Sequence, residues 1–303
     1  MHNITQYDLQ KILDISIPQH IQSKIEQDPL QYNDLTKKEY DQYLIRVINT
    51  LTGDMVQSGT HRLQQWENGW RENLEEFINT KNIELLIPKY HGKHKYVRWQ
   101  QKIIDPITPN FDYKIHTYII DSVIDYYAKN RENIYEFGCG PAYHLLRLSS
   151  YYKNKNFYGL DWTSTSQKII HYINEICNLS ITGHRFDFYN PDYNFKIIEN
   201  SLVYTIAALE QVGCNFIQFI QYLIDNKPKI CIHLEPISEV LDNSNLIDML
   251  SIKYFEKRKY LSGLLSYLQN LEKNGQIEII DVRRTYTGSY FIEGHSLIVW
   301  RPV

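Results

Sequence analysis

Glycine is scarce, with 13 residues in 303, and proline adds only 10, so collagen-like and low-complexity organisation are excluded. Cysteine is scarcer still. Cys139, Cys177, Cys214 and Cys231 are widely scattered and form no Cys-x-x-Cys pair. That argues against a zinc knuckle, a redox dithiol or a disulfide framework, and it fits a reducing compartment. Neither sign of charge is in large excess: 32 Lys and Arg face 35 Asp and Glu, a net charge of -3. The global signature of a nucleic-acid or membrane-surface protein is therefore missing. No stretch approaches the roughly 18 uncharged apolar residues of a membrane span. Met1–Asp14 carries no apolar core of the secretory type. The expectation is a soluble, cytoplasmic protein. With 43% hydrophobic and 22% charged residues the chain is not disordered, and its length suits a core domain with an appendage.

What is present changes character near residue 105. Before it lie helical patterns rich in Gln, Lys and Trp, such as Tyr40–Leu51 and Leu63–Ile78. Residues 1–105 are expected to form a helical substrate-recognition or lid region, and 106–303 a catalytic domain. The segment 105–110, with Pro106 and Pro109, marks the boundary. A helix over Phe111–Tyr127 follows, and then strands and helices alternate. Strands are expected at Asn133–Phe137, Asn156–Leu160, Thr182–Phe188, Ser201–Leu209 and Lys229–Leu234. Gln276–Arg283 and Ser296–Trp300 close the chain with no helix between them. Alternation implies right-handed crossovers and a parallel sheet covered on both faces. The final pair should be antiparallel. The fold class is α/β: a Rossmann-like, seven-stranded, mostly parallel sheet with the last strand reversed.

The strongest local signal is Glu136-Phe137-Gly138-Cys139-Gly140-Pro141, a buried strand feeding a glycine turn that opens a helix. Glycines there permit positive φ and let backbone N–H groups approach a ligand. At the end of the next strand stands Asp161, placed to accept hydrogen bonds from ribose hydroxyls. Together they point to a nucleoside-containing cofactor. A dinucleotide fingerprint requires a third glycine where this chain has Tyr143.

The Glu-Phe-Gly-Cys-Gly-Pro run resembles the first motif of class I S-adenosylmethionine-dependent methyltransferases. The resemblance extends from Phe111 to the C-terminus through Leu160-Asp161-Trp162, Phe186-Asp187-Phe188, Ala208-Leu209-Glu210-Gln211 and His233-Leu234-Glu235-Pro236. It implies S-adenosylmethionine as cofactor. Gly138, Cys139 and Gly140 would border its methionine part, and Glu136 would reach the amino group. Asp161 would hold the ribose, Trp162 would pack on adenine, and Asp187 and the Phe188 N–H would meet the adenine edge. Two positions depart from the pattern: Ala142 replaces a frequent third glycine, and Gln211 stands where many members carry His.

In an open parallel sheet, ligands bind beyond the carboxyl ends of the strands. That edge should collect Glu210, His233, Glu235 and His295 as candidates for proton transfer, His295 having the pKa best suited to an attacking hydroxyl. His233, Glu235 and His295 are also metal-ligand types, but their spacing matches no metal motif, and no metal is expected. Trp66, Trp70, Arg71 and Arg98, in two aromatic and cationic stretches, are the candidates for binding a small-molecule acceptor. The reading is O-methylation of a small polar acceptor, anionic or sugar-like. The alternatives are an RNA methyltransferase using the basic-aromatic strip 89–99, a nicotinamide-dependent oxidoreductase and a non-catalytic cofactor-binding subunit.

Overall fold

A computed structural model describes all 303 residues. The first part of the chain forms β1 (His2–Ile4), α1 (Gln6–Leu13), α2 (Gln19–Gln27), β2 (Leu30–Asp34), α3 (Lys37–Thr52), α4 (Leu63–Thr80), β3 (Val97–Trp99) and β4 (Lys102–Pro106). Next come α5 (Phe111–Ala128), β5 (Asn133–Phe137), α6 (Tyr143–Tyr151), β6 (Asn156–Asp161), α7 (Ser164–Cys177) and β7 (Ile181–Arg185). The chain ends with β8 (Ser201–Ile206), α8 (Ile217–Asn226), β9 (Ile230–Glu235), α9 (Leu246–Arg258), α10 (Leu264–Lys273), β10 (Ile277–Arg283), β11 (Thr287–Gly288) and β12 (Ser296–Pro302). No helix is long and apolar enough to cross a membrane.

The main sheet has seven strands in the order β10-β12-β9-β8-β5-β6-β7. Its strands from β5 to β9 run parallel, and β12 lies antiparallel between β9 and β10. This is the α/β architecture expected, with the last strand reversed. Alternation within the buried strands sorts side chains onto two cores. Ile134, Leu202, Ile232 and Leu234 face α5, α6 and α7, whereas Tyr135, Phe137, Val203 and Cys231 face α8 and α10. Chain order reverses at β5, which pairs with both β6 and β8. Such a point opens a crevice at the carboxyl end of the sheet.

The N-terminal region is not simply helical. It builds a second sheet, β1-β2-β4-β3-β11, whose last member comes from the turn between β10 and β12. The sequence-based boundary at residue 105 therefore falls inside β4, and the two regions interlock. Ile4, Leu9, Leu30, Val97 and Ile104 share one continuous core with Phe111, Ile115 and Ile119 of α5. A chain beginning at Asp105 is expected to be insoluble or molten, because it uncovers that face of α5. Near-UV circular dichroism and size-exclusion chromatography check this. A soluble product with fixed aromatic signals would mean that the region is dispensable for folding.

Candidate functional site

The carboxyl ends of β5, β6 and β8 converge on the glycine turn. Gly138 and Cys139 both donate their N–H groups to the Leu160 carbonyl, at 2.7 and 3.0 Å, which pins the turn to the end of β6. Gly140 donates to Asp161 Oδ2 at 2.9 Å. Both glycines have positive φ, 77° and 50°. A Cβ on Gly138 would lie 2.3 Å from the Ala208 methyl, and one on Gly140 would lie 2.9 Å from the Trp70 ring. Only glycine fits this cradle. Ala142 adopts φ 57°, a left-handed conformation that glycine takes without cost, so its place in the turn is strained.

Gly138, Gly140, Asp161, Trp162, Asp187 and Phe188 line one narrow cleft of about 70 Å³. Trp162 stacks toward Tyr189, a wall residue that sequence reasoning missed, with ring centroids 6.4 Å apart. Asp187 Oδ1 accepts the Tyr189 N–H at 2.9 Å, which shapes the loop that carries the cleft. Asp161 is nearly committed: Oδ1 accepts the N–H and hydroxyl of Thr163, and Oδ2 accepts from Gly140. A carboxylate has about four acceptor sites, so one remains on Oδ2. Three of its acceptor sites are thus taken by the protein's own donors.

The cleft opens into a cavity of about 1050 Å³, at the upper limit for small-molecule sites, and Glu136 and Cys139 face this larger space. Glu136 Oε1 contacts His144 Nδ1 at 2.8 Å, and Oε2 accepts the Tyr204 hydroxyl at 3.1 Å. Burial pushes its carboxyl up to about 8.

Trp66 and Trp70, stacked with centroids 5.4 Å apart, roof both spaces. Trp70 lies against Gly140, so the pair borders the cleft as much as the cavity. Between them Glu67 reaches the N-terminus of α7 and accepts the N–H groups and hydroxyls of Ser164 and Thr165 at 2.5–3.1 Å. These bonds hold its carboxyl below the usual range although burial opposes them. Glu67→Ala is expected to cost about 1–2 kcal/mol, as for a lost helix cap, and to speed hydrogen exchange in α4. Unchanged exchange in α4 would show that the latch does not hold it.

Arg71 is exposed and lines neither space. Arg98 is 3% exposed and donates to the carbonyls of Ile247 and Phe291, tying β3 to α9 and to the turn before β12. Both leave the acceptor-binding set. The basic strip is not a free cationic face either: Lys89 pairs with Glu76 and Lys95 with Asp105.

Of the four proton-transfer candidates, two reach the cavity. His233 is fully buried in β9, with Nδ1 on the Thr205 hydroxyl and Nε2 accepting the Trp300 indole N–H. Its nitrogens are spent on structure. Glu235, also fully buried, accepts the backbone N–H groups of Ala208, Leu209 and Glu210 and so fixes the turn after β8. It positions Glu210 rather than meeting a ligand. His295 does line the cavity, beside His116 at 4.1 Å between centroids. Burial, reinforced by His116, His91 and His144, holds its pKa well below the ordinary value. The pKa that recommended His295 from the sequence is therefore not the one it has in this environment. Glu210 lines the cavity as well, and burial pushes its carboxyl up to about 7. Gln211 donates to its Oε1 at 2.7 Å. No three His, Cys, Asp or Glu side chains are placed to hold a metal ion.

Arg62 and Tyr90, which fall within the two aromatic and cationic stretches, complete the cavity wall together with His116, Tyr254, Arg258 and Tyr260, which sequence reasoning missed. They come from segments far apart in the chain, and no local motif marks them.

No protein-family model matches the chain, and no curated protein matches it. Solved structures similar to it include magnesium protoporphyrin IX methyltransferase from Synechocystis PCC 6803 with bound SAM, at TM-score 0.47 and 10% identity over 76% of this chain and 95% of that one. Another is a putative sarcosine dimethylglycine methyltransferase from Galdieria sulphuraria, at TM-score 0.47 and 11% identity, covering 64% and 88%. A protein described as a pericyclic reaction enzyme reaches TM-score 0.39 and 9% identity, covering 57% and 44%.

Proposed function

We propose that this protein is an S-adenosylmethionine-dependent methyltransferase acting on an oxygen of a small polar acceptor. The observation that carries the reading is the glycine cradle at the sheet's reversal point. Its backbone is tied to the strand-end acid, and an aromatic cleft and a polar cavity open on either side of it. The cofactor, when bound, supplies an electrophilic sulfonium methyl carbon and leaves as a neutral thioether.

The residues fit that group. Asp161 Oδ2 has one acceptor site for a ribose hydroxyl, and Trp162 and Phe188 offer apolar faces to a purine. Glu136 faces the far side of the turn, where an ammonium would restore its ionised form. Tyr143 occupies the first turn of α6 and lines the cavity, at the helix N-terminus where a dinucleotide would set its pyrophosphate. This favours S-adenosylmethionine over a nicotinamide cofactor.

Glu210 is the group we assign to proton removal. With Oε1 engaged by Gln211, Oε2 is free to take the proton of an acceptor hydroxyl as the oxygen bonds to the methyl carbon. A carboxyl near 7 is suited to that task at neutral pH. Much of the rate comes from holding donor and acceptor in line, which the Trp66–Trp70 roof enforces. Incubating the protein with methyl-labelled cofactor and fractionated extract tests the reading. The label should move to a small, heat-stable fraction; label retained only in RNA would favour the other acceptor class.

A further inference from the structure

Two arginines line the cavity, near enough for the Arg258 charge to bear on Arg62, with too little negative charge beside them. Arg62 lies in the turn before α4 and is 7% exposed. Its Nε donates to Gln65 and its Nη1 to Gln211, both neutral amides, and its guanidinium covers the Trp66 ring at 5.2 Å. Arg258 ends α9, covers the Tyr260 ring at 5.0 Å and donates Nη2 to the Tyr260 hydroxyl. Its Nε is buried with no partner. The Ser58 N–H donates to the Arg258 carbonyl at 2.8 Å, which brings the segment carrying Arg62 against the end of α9.

Burial lowers the Arg62 pKa, and the nearby Arg258 charge lowers it further. Glu210 is the carboxylate facing both, and it is only part-ionised at neutral pH. Three other charged groups of this cavity are engaged elsewhere. Lys89 meets Glu72 and Glu76, Asp112 accepts from Gly92, and Glu136 holds His144 and Tyr204. Lys93 adds a further positive charge at the rim. Two permanent cations left underpaired in a shared, partly desolvated space are costly. Guanidinium groups, with their fork of donors, match planar carboxylates and phosphates.

We propose that Arg62 and Arg258 form an anion subsite, and that the methyl acceptor carries a carboxylate or phosphate held there beside Glu210. The acceptor assignment rests on the methyltransferase reading; the subsite itself does not. Held by both arginines, the anion fixes one end of the acceptor, and its hydroxyl falls toward Glu210 and the glycine turn.

Calorimetric titration of the full chain with inorganic phosphate and with malonate, each with and without S-adenosylhomocysteine, tests the subsite. One anion should bind per chain in the presence of S-adenosylhomocysteine, less tightly as salt rises. The tighter of the two probes names the group. Arg258→Gln should weaken it about tenfold or more, and Arg258→Lys should weaken it less. Affinity for S-adenosylhomocysteine should change less than about twofold in both, because Arg258 lines only the larger cavity. Arg62→Gln, with its fold checked by thermal melting, should behave as Arg258→Gln does. Equal anion affinity in wild type and Arg258→Gln would overturn the subsite. Displacement of the anion by S-adenosylhomocysteine would overturn the acceptor assignment, placing the anion where the cofactor's own carboxylate sits. Anion binding as expected, with no S-adenosylhomocysteine binding, would uphold the subsite and remove the methyltransferase reading.

Discussion

Glu210→Gln should lower kcat about 10²–10⁴-fold while leaving S-adenosylhomocysteine affinity nearly unchanged. The amide keeps the shape of the side chain and can still meet Gln211, so the turn held by Glu235 should survive. What it loses is a place for the proton. Because burial pushes the Glu210 carboxyl up to about 7, the wild-type rate should rise with pH through that value and level off above it. The sign follows from the role: only the ionised carboxylate removes a proton. The variant should show no such limb. Were His295 the base, its depressed pKa would place the limb well on the acid side of 6.5. A loss of less than about threefold, with a flat wild-type profile, would mean that alignment alone drives the transfer.

Asp161→Ala should weaken S-adenosylhomocysteine binding at least about tenfold, since a hydrogen bond to a charged group is worth about 1.5–3 kcal/mol. It should also loosen the turn itself. The carboxylate is 6% exposed and accepts from Gly140, the Thr163 N–H and the Thr163 hydroxyl. Without it, buried donors lack partners, at about 1–3 kcal/mol each. A lower melting temperature should therefore accompany the loss of affinity. Gly140→Ala separates the two effects, because it crowds Trp70 and strains the backbone while sparing the carboxylate. Full affinity in both variants would remove the cleft from cofactor binding.

The seven-stranded sheet was legible because its central strands are buried apolar runs that alternate with helices, while β10 alternates apolar and polar residues. The second sheet was not. Val97–Trp99 pairs with Thr287–Gly288, and strands of two to five residues give no periodicity to read. The buried role of Arg98 followed the same blind spot: a cation in a basic strip looks solvated until β3 is seen to pack beneath α9 and the turn before β12. The glycine turn and Asp161 were legible because cradle and acid sit at fixed places relative to adjacent strands. Grouping His233 with Glu235 followed from the twofold alternation of a strand, which sets a face but not its occupants. Trp300, on the neighbouring strand, claims that histidine. Arg258 carried no local signal, and only the pairing of the Ser58 segment with the end of α9 brings it toward Arg62.

The proposed function stands on the glycine cradle and its acid binding S-adenosylmethionine. Calorimetric titration of the wild-type chain with S-adenosylhomocysteine, against NADH as the control, tests it most directly. One site per chain is expected, with a dissociation constant in the micromolar range, abolished or strongly weakened in Asp161→Ala, and no heat with NADH. Saturable binding of NADH with none of S-adenosylhomocysteine would contradict it.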